Sequence, residues 1–149
     1  MAQSDQASGD KDGTEDSEVL VDNKYTTSTY LPGRKVVYHT IHRPVGGQIS
    51  RDALNRGTET LRKHKACKWL SGERNNGPLS AGDMDWGFND WNRRTVEAGW
   101  KYWAVVVPEE IAAACSLAKT IMDLSNLSLR MMVLTDLKEA FKWLERMEE

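Results

Sequence analysis

The spacing of apolar and polar positions changes several times along the chain, and each change predicts an element. An extended stretch runs from Val19 towards Tyr30, and a Pro32-Gly33 turn separates it from a β-branched and aromatic run that ends at Ile41. A proline-glycine turn between two such stretches predicts a pair of antiparallel strands. After this pair, short apolar runs alternate with stripes at helical spacing.

The short apolar runs predict three further strands, at residues 66–71, 102–107 and 129–134. The run at 102–107 is nearly unbroken, which is typical of a strand covered on both faces, as in a parallel sheet. Residues that suit a helix start precede the four helical stripes: Ser50, Ser80, Pro108 and either Thr135 or Asp136. The predicted order is β-β-α-β-α-β-α-β-α, and the predicted class is α/β, with a mixed, mainly parallel sheet and helices packed on it.

The second predicted helix carries a displaced tryptophan. Its buried stripe is predicted from residues that recur at helical spacing, namely Met84, Phe88, Trp91, Thr95 and Ala98. Trp86 lies about 200° from Met84 by helical rotation and shares its face with Arg93. An exposed tryptophan beside an arginine is typical of a protein-binding surface, whereas a neighbouring loop or strand over Trp86 would make it a packing residue. Both alternatives stay open. Trp143 also lies off its helix's central stripe, and boundary packing is the interpretation there.

Charge is distributed unevenly over the 149 residues. The net charge is −2, but residues 1–18 carry −5, so the remaining 131 residues carry −2 − (−5) = +3. Residues 1–17 contain no large apolar side chain after Met1 and are predicted to form a disordered acidic tail before a single domain at 18–149. The mildly basic body is too weakly charged to make nucleic acid the expected partner.

The composition also bears on location. Mean hydropathy is −0.60, and no apolar run approaches the ~20 residues that a membrane span needs. The N-terminus lacks the basic and apolar segments of a secretory signal. Two cysteines, Cys67 and Cys115, are too few for a disulfide scaffold and suit free thiols in a reducing compartment. A cytoplasmic protein without a membrane span is therefore expected.

Sequence signatures of catalysis are missing. His39 and His42 would point to opposite faces of a strand, and no zinc-ligand spacing occurs, so neither a metal nor another cofactor is expected. There is no Gly-x-Ser-x-Gly elbow, P-loop or Gly-x-Gly-x-x-Gly motif. A non-enzymatic protein is expected. The alternatives are a Cys67–His39 pair and an unrecognised site that uses Glu73, Asp83 or Cys67.

The loop at residues 72–79 is the main candidate site. It follows a predicted strand, and sites in open α/β sheets form outside the carboxyl ends of strands. Four polar residues of this loop and the serine that follows it are candidates for binding a ligand or partner: Glu73, Arg74, Asn75, Asn76 and Ser80. The alternative is a polar connector with a capping serine. A basic run starts at Arg62 and continues to Lys68. We interpret it as a solvated helix end rather than as a phosphate-binding patch.

Three segments together resemble the SpoIIAA-like branch of the STAS (sulfate transporter and anti-sigma-factor antagonist) family. They read KHKACKWLSGERN, DMDWGFNDWNRRTVEAGWKYWAVVVPE and TDLKEAFKWLERM. The resemblance implies a mixed sheet with helices, bacterial origin and a signalling role through protein binding. It also implies a phosphorylated serine at a helix start. Ser80 is nearest to that position, although the Asp-Ser-Ser-Gly motif is replaced by Pro-Leu-Ser-Ala-Gly. The family's SEC14 label implies an apolar ligand, but it assigns no residue of this chain to that ligand.

These observations favour a non-enzymatic regulatory or protein-interaction domain. Its surface would combine the loop at residues 72–79 with the face of Trp86 and Arg93, and its partners would be another protein or a second copy of the chain. The alternative is a carrier of a small apolar molecule, with a pocket shaped by residues 112–114 and by Met131 and Met132. Methionine also fills irregular gaps in ordinary cores, so these residues are equally consistent with packing.

Overall fold

A computed structural model describes residues 17–124 and 128–149 of the chain. The predicted acidic tail at 1–17 lies, except for Ser17, outside the described residues. Helices and strands alternate after three initial strands. In chain order they are β1 Glu18–Asp22, β2 Thr26–Leu31, β3 Val36–Ile41, α1 Gly47–His64, β4 Lys68–Gly72, α2 Ala81–Trp86, a π-helical turn Gly87–Trp91, α3 Asn92–Glu97, β5 Tyr102–Val106, α4 Glu109–Leu124, β6 Arg130–Leu134 and α5 Leu137–Arg146.

The first predicted strand is two strands. β1 and β2 pair in antiparallel fashion, and a tight turn joins them. The carboxamide oxygen of Asn23 accepts hydrogen bonds from the backbone N–H groups of Tyr25 (2.8 Å) and Thr26 (3.0 Å). Asparagine side chains stabilise turns in this way by replacing the backbone's own partners. The sequence therefore predicted the extended conformation of this stretch but missed the turn within it.

The six strands lie across the sheet in chain order, from β1 to β6. β1, β2 and β3 are antiparallel neighbours, whereas β3 to β6 are parallel neighbours. This arrangement confirms the α/β class and the mixed sheet. Because each crossover steps in the same direction, right-handed connections place α1, the α2–α3 segment and α4 on one face of the sheet.

The sheet separates two cores. On the face of α1 to α4, the tryptophan core gathers the buried rings of Trp69, Trp91 and Trp100, with Leu61 from α1 and partly buried Ala112 from α4. On the other face, α5 packs against a second core that holds Val36, Leu70, Ala104, Val106, Ala140, Trp143 and Leu144. Trp143, which the sequence placed at a boundary, is fully part of this second core.

Helix α1 begins earlier than Ser50. It starts at Gly47, and its N-cap residue, Gly46, has no side chain to cap it. The carboxylate of Asp83, which lies 36 residues further along the chain, accepts the Gly47 N–H at 3.0 Å. The φ of Gly47 is +64°, which favours glycine at this entry. The predicted Ser50 cap was wrong because the actual capping group comes from a distant residue.

None of the helices among the described residues has the length and apolar character needed to cross a membrane.

Candidate functional site

The π-helical turn between α2 and α3 changes which side chains face the core. Trp91 and Thr95 are buried as predicted, but Met84 and Phe88 are 47% and 39% exposed. A π-helical turn contains an extra residue, so it shifts the helix face that follows it. The stripe predicted from Met84 to Ala98 was therefore wrong in its first half.

The same shift brings Trp86 onto the tryptophan core. Its ring lies 6.4 Å from that of Trp91, and the two ring planes differ by 17°. In a regular α-helix, residues five positions apart differ by about 140° and could not stack in this way. Of the two alternatives for Trp86, the structure supports packing, although part of the ring remains accessible.

Two arginines flank the Trp86 ring. The guanidinium carbon of Arg51 in α1 lies 5.1 Å from the ring centre, and that of Arg94 lies 5.8 Å away. Arg93 is exposed instead, and the structure does not bring it onto Trp86. In a regular α-helix the residue seven positions after Trp86, which is Arg93, would share its face. The extra residue of the π-helical turn moves that place to the eighth position, which is Arg94.

The outward side of this segment forms what we call the α2 surface. It consists of exposed apolar and charged residues: Leu79, Met84, Asp85, Phe88, Asn89 and Arg93. Met84 and Phe88 are one helical turn apart, and Leu79 precedes the capping Ser80, a position from which an apolar side chain can reach Met84. The Asn89 amide donates a hydrogen bond of 2.6 Å to the Asp85 carboxylate. Arg93 has no ion pair within the described part of the chain.

Ser80 caps α2, as predicted. Its hydroxyl oxygen accepts the Asp83 N–H at 3.1 Å. The Asp83 carboxylate accepts from the Gly47 N–H and from Arg51, whose Nη2 lies 3.1 Å away. The hydrogen bond from Gly47 N–H, reinforced by those from Arg51 and Ser80, lowers the pKa of Asp83 against an opposing effect of desolvation. Asp83 thus joins α2 to the start of α1.

The polar loop after β4 uses most of its side chains to hold its own shape. Glu73 continues the sheet by donating its N–H to the Val106 carbonyl at 2.8 Å, and its carboxylate accepts from the Asn76 amide at 2.9 Å. The Asn76 carboxamide oxygen accepts the N–H groups of Val45 (3.4 Å) and Gly77 (3.0 Å). These bonds give Glu73 and Asn76 a structural role and tie the loop to the segment before α1.

The remaining predicted residues of the loop point elsewhere. Arg74 donates a hydrogen bond to the backbone carbonyl of Thr135, which follows β6. It is therefore not directed at Ser80, the residue that the family resemblance implies is phosphorylated. Asn75 is exposed. The loop lies at the carboxyl edge of the parallel strands, as predicted, but its side chains do not converge on a common point. Whether it binds a partner stays a prediction.

The carboxyl group of Glu73 lies deep although the residue as a whole is half-buried. Burial raises the pKa of Glu73, and the hydrogen bond from Asn76 opposes that rise. The negative charge on Glu73 contributes to the raised pKa of the Cys115 thiol in α4, after the larger effect of burial. Two groups that are harder than usual to ionise therefore lie near each other at this edge of the sheet.

The structure does not assemble the catalytic alternatives. Cys67 precedes β4 and Glu73 follows it, so about 20 Å of extended chain separates them. His39 is in register with Ser71, which is about 13 Å along the strand from Cys67. Burial raises the pKa of Cys67, which disfavours its reactive thiolate. Among residues 17–124 and 128–149, no group of three or more His, Cys, Asp or Glu is placed to hold a metal ion.

The residues proposed for an apolar pocket are likewise dispersed. Met131 belongs to the tryptophan core, whereas Met132 packs on the opposite face of the sheet. In α4, Ala113 and Ala114 are exposed, and Ala112 packs against the tryptophan core. These residues do not line a common cavity.

A buried polar row crosses the sheet, and the sequence did not predict it. Ser28 is paired with His39, and His39 with Ser71, so the three side chains are neighbours on the face of the tryptophan core. The Ser71 hydroxyl accepts from the indole N–H of Trp103 at 3.0 Å. Within the described part of the chain, four buried polar atoms lack a hydrogen-bond partner: Ser28 Oγ, His39 Nδ1, His39 Nε2 and Trp69 Nε1.

Burial lowers the pKa of His39 to about 4. The imidazole is therefore neutral at physiological pH, and because His39 is buried it cannot reach a substrate at the surface. Strand alternation is the signal that could have located it, because His39 shares a face with the buried Val37.

Comparison of the chain with protein-family models, with curated proteins and with solved structures found no match.

Proposed function

We propose that the protein is a non-catalytic interaction domain whose α2 surface binds a second copy of the chain. The observation that carries the proposal is the outward position of Met84 and Phe88, which the π-helical turn releases from the core. Full burial of such a side chain is worth about 1.5–3 kcal/mol; because Met84 and Phe88 are already half-buried, each gains about half of that, and a two-fold contact buries each of them twice. Exposed neighbouring apolar side chains on an otherwise polar helix are typical of a contact surface.

The charges beside these apolar residues favour a second copy over an unrelated partner. Asp85 and Arg93 lie four residues on either side of Asn89, and all three are exposed. A two-fold axis at Asn89 would bring two antiparallel copies of this segment together, so that each Asp85 meets the partner's Arg93. Such a contact is isologous, since the same patch serves both subunits. The two Phe88 rings would meet close to the axis.

The proposal agrees in kind with the resemblance to the STAS family, which implies protein binding. The mixed sheet with its packed helices supports the proposed SpoIIAA-like arrangement. The two free cysteines support a reducing bacterial cytoplasm as the proposed location. Regulation through Ser80 remains part of this proposal. It requires a phosphate partner other than Arg74 in its present position.

Removal of the apolar contact tests the proposed dimer. Phe88→Ser and Met84→Ser are each expected to weaken self-association at least about tenfold, because losing 1.4 kcal/mol changes the dissociation constant tenfold. Sedimentation velocity over a concentration series measures the effect. Leu137→Ser is the matched control, because Leu137 is 38% exposed but lies in α5 on the other face of the sheet. A wild-type protein that stays monomeric across the micromolar range would contradict the proposal.

Charge reversal tests the antiparallel arrangement. Asp85→Arg and Arg93→Asp should each weaken the dimer by placing like charges together, whereas the double variant should recover affinity because it restores both pairs. Recovery would support the two-fold axis at Asn89. Additive losses in the double variant would exclude this pairing even if the protein dimerises.

A further inference from the structure

Lys68 is a buried lysine whose charge has no counterpart. It is the first residue of β4 and lies between Val36 of β3 and Tyr102 of β5. Only 5% of the residue is exposed. Within residues 17–124 and 128–149 its side chain makes no ion pair and no hydrogen bond, and its ammonium nitrogen is not among the four unpartnered polar atoms that are fully buried, so the nitrogen keeps contact with solvent. The apolar stem of Lys68 is therefore buried between the strands, while its ammonium group stays accessible and has no partner from the described residues.

The side chain of Lys68 lines a pocket of about 180 Å³ at the amino edge of the parallel strands. The pocket lies between the β2–β3 turn and α5. Turn residues, sheet residues and helix residues contribute to its wall: Gly33, Arg34, Val36, Lys68, Phe141, Leu144, Glu145 and Glu149. The pocket is on the opposite face of the sheet from the tryptophan core, and the basic residues at the end of α1 do not contribute to it.

The two acidic residues of the pocket already have other partners. Glu145 lies 3.7 Å from Arg34, and Glu149 lies 3.1 Å from Lys35. Arg34 also covers the Phe141 ring, with 4.6 Å between its guanidinium carbon and the ring centre. The lining itself holds two cations, Arg34 and Lys68, and two carboxylates. Because Lys35, outside the lining, pairs with Glu149, Lys68 is the group left without a counter-charge.

We propose that this pocket binds a small oxyanion, a carboxylate or a phosphate group, through the ammonium group of Lys68. The pocket is smaller than the roughly 300–1,000 Å³ of sites for drug-sized ligands, so its ligand has only a few heavy atoms. An anion there supplies the charge that Lys68 lacks, and the apolar stem of the lysine is held by the strands on either side. Arg34 lines the same pocket, but its charge is already matched by Glu145.

Thermal unfolding in sodium phosphate and in sodium acetate tests the proposal, with sodium chloride added to keep the ionic strength constant. A saturable rise in the melting temperature of the wild-type protein is expected in at least one of the two salts. At an anion concentration ten times the dissociation constant, the folded-to-unfolded ratio should rise about 11-fold. A response to phosphate alone, or to acetate alone, identifies which oxyanion chemistry the pocket prefers.

Lys68→Met distinguishes the pocket from general salt effects. This variant should remain folded, because methionine keeps the apolar stem between the strands, and it should lose the saturable response. Lys142→Met is the matched control, since it removes an exposed lysine of α5 and should keep the response. An equal response in Lys68→Met would mean an adventitious ion only and would overturn the proposal. No response in the wild type would also overturn it.

Discussion

Gly57→Val is expected to destabilise the protein by about 3 kcal/mol or more, the upper end of the usual cost of overpacking. Gly57 lies in α1 directly against Trp69. A Cβ atom at this position would come within 2.2 Å of the Trp69 Cη2 atom and within 2.9 Å of two further ring atoms. The clash outweighs the gain in helix propensity from replacing glycine, which is at most about 1 kcal/mol.

The Trp69 ring has no room to withdraw. It is fully buried, and the rings of Trp91 and Trp100 lie 5.2 Å and 5.8 Å from it. His39 packs edge-on at 6.4 Å. Relief of the clash would therefore require α1 to move away from the sheet, which would open the tryptophan core.

Urea denaturation measures the change in the free energy of unfolding, provided that the slope of this free energy against urea concentration is the same in both variants. Gly82→Ala is the matched control, because a Cβ at Gly82 meets nothing within 4 Å. It should stabilise the protein by up to about 1 kcal/mol through helix propensity alone. A Gly57→Val variant as stable as the wild type would contradict the close packing of α1 on β4.

The second large effect is a loss of stability in mild acid through His39. Its pKa is about 4 in the folded protein, against 6.5 for an ordinary histidine. Between these values the unfolded chain binds a proton that the folded protein does not, so the free energy of unfolding falls as the pH falls from about 6.5 to 4. A difference of 2.5 pKa units corresponds to about 3 kcal/mol.

His39→Leu isolates this contribution. The variant should remain folded at pH 7, because the imidazole nitrogens of His39 have no partner in the described part of the chain. It should also lose the contribution of His39 to the fall in the free energy of unfolding between pH 6.5 and 4. The raised pKa of Glu73 acts in the opposite direction, since its protonation favours the folded state, and that effect cancels when the two proteins are compared. Denaturation at several pH values measures the difference. An unchanged slope in His39→Leu would exclude His39 as the source.

The sequence predicted those parts of the fold that depend on neighbours along the chain. The β5 run was recognised because it is apolar throughout, and the Ser80 cap was recognised because its partner is only three residues away. The start of α1 was misplaced because its cap, Asp83, comes from a distant segment. The π-helical turn was missed for a similar reason. The contacts that accompany it include Arg51 on Trp86, which is a contact between helices.

The candidate sites show the same division. The position of the polar loop at the carboxyl edge followed from the order of elements, but the hydrogen bonds that occupy Glu73 and Asn76 depend on the folded loop. Lys68 appeared in the sequence as the end of a basic run. Its burial depends on which strands flank it and on α5, which follows almost 70 residues later, so no local pattern marks it.

Because the strands lie across the sheet in the order in which the ribosome makes them, each new strand can add to an edge that is already formed. No strand has to insert between two earlier ones. The parallel pairings join residues about 28 to 34 positions apart, whereas a strand inserted between two earlier ones would pair across a longer separation, so this order keeps contact order lower. The growing chain can assemble its sheet from the β1–β2 hairpin onwards, and α5 covers the second face only after β6 has been made. Truncated chains that lack α5 should therefore expose that apolar face and aggregate.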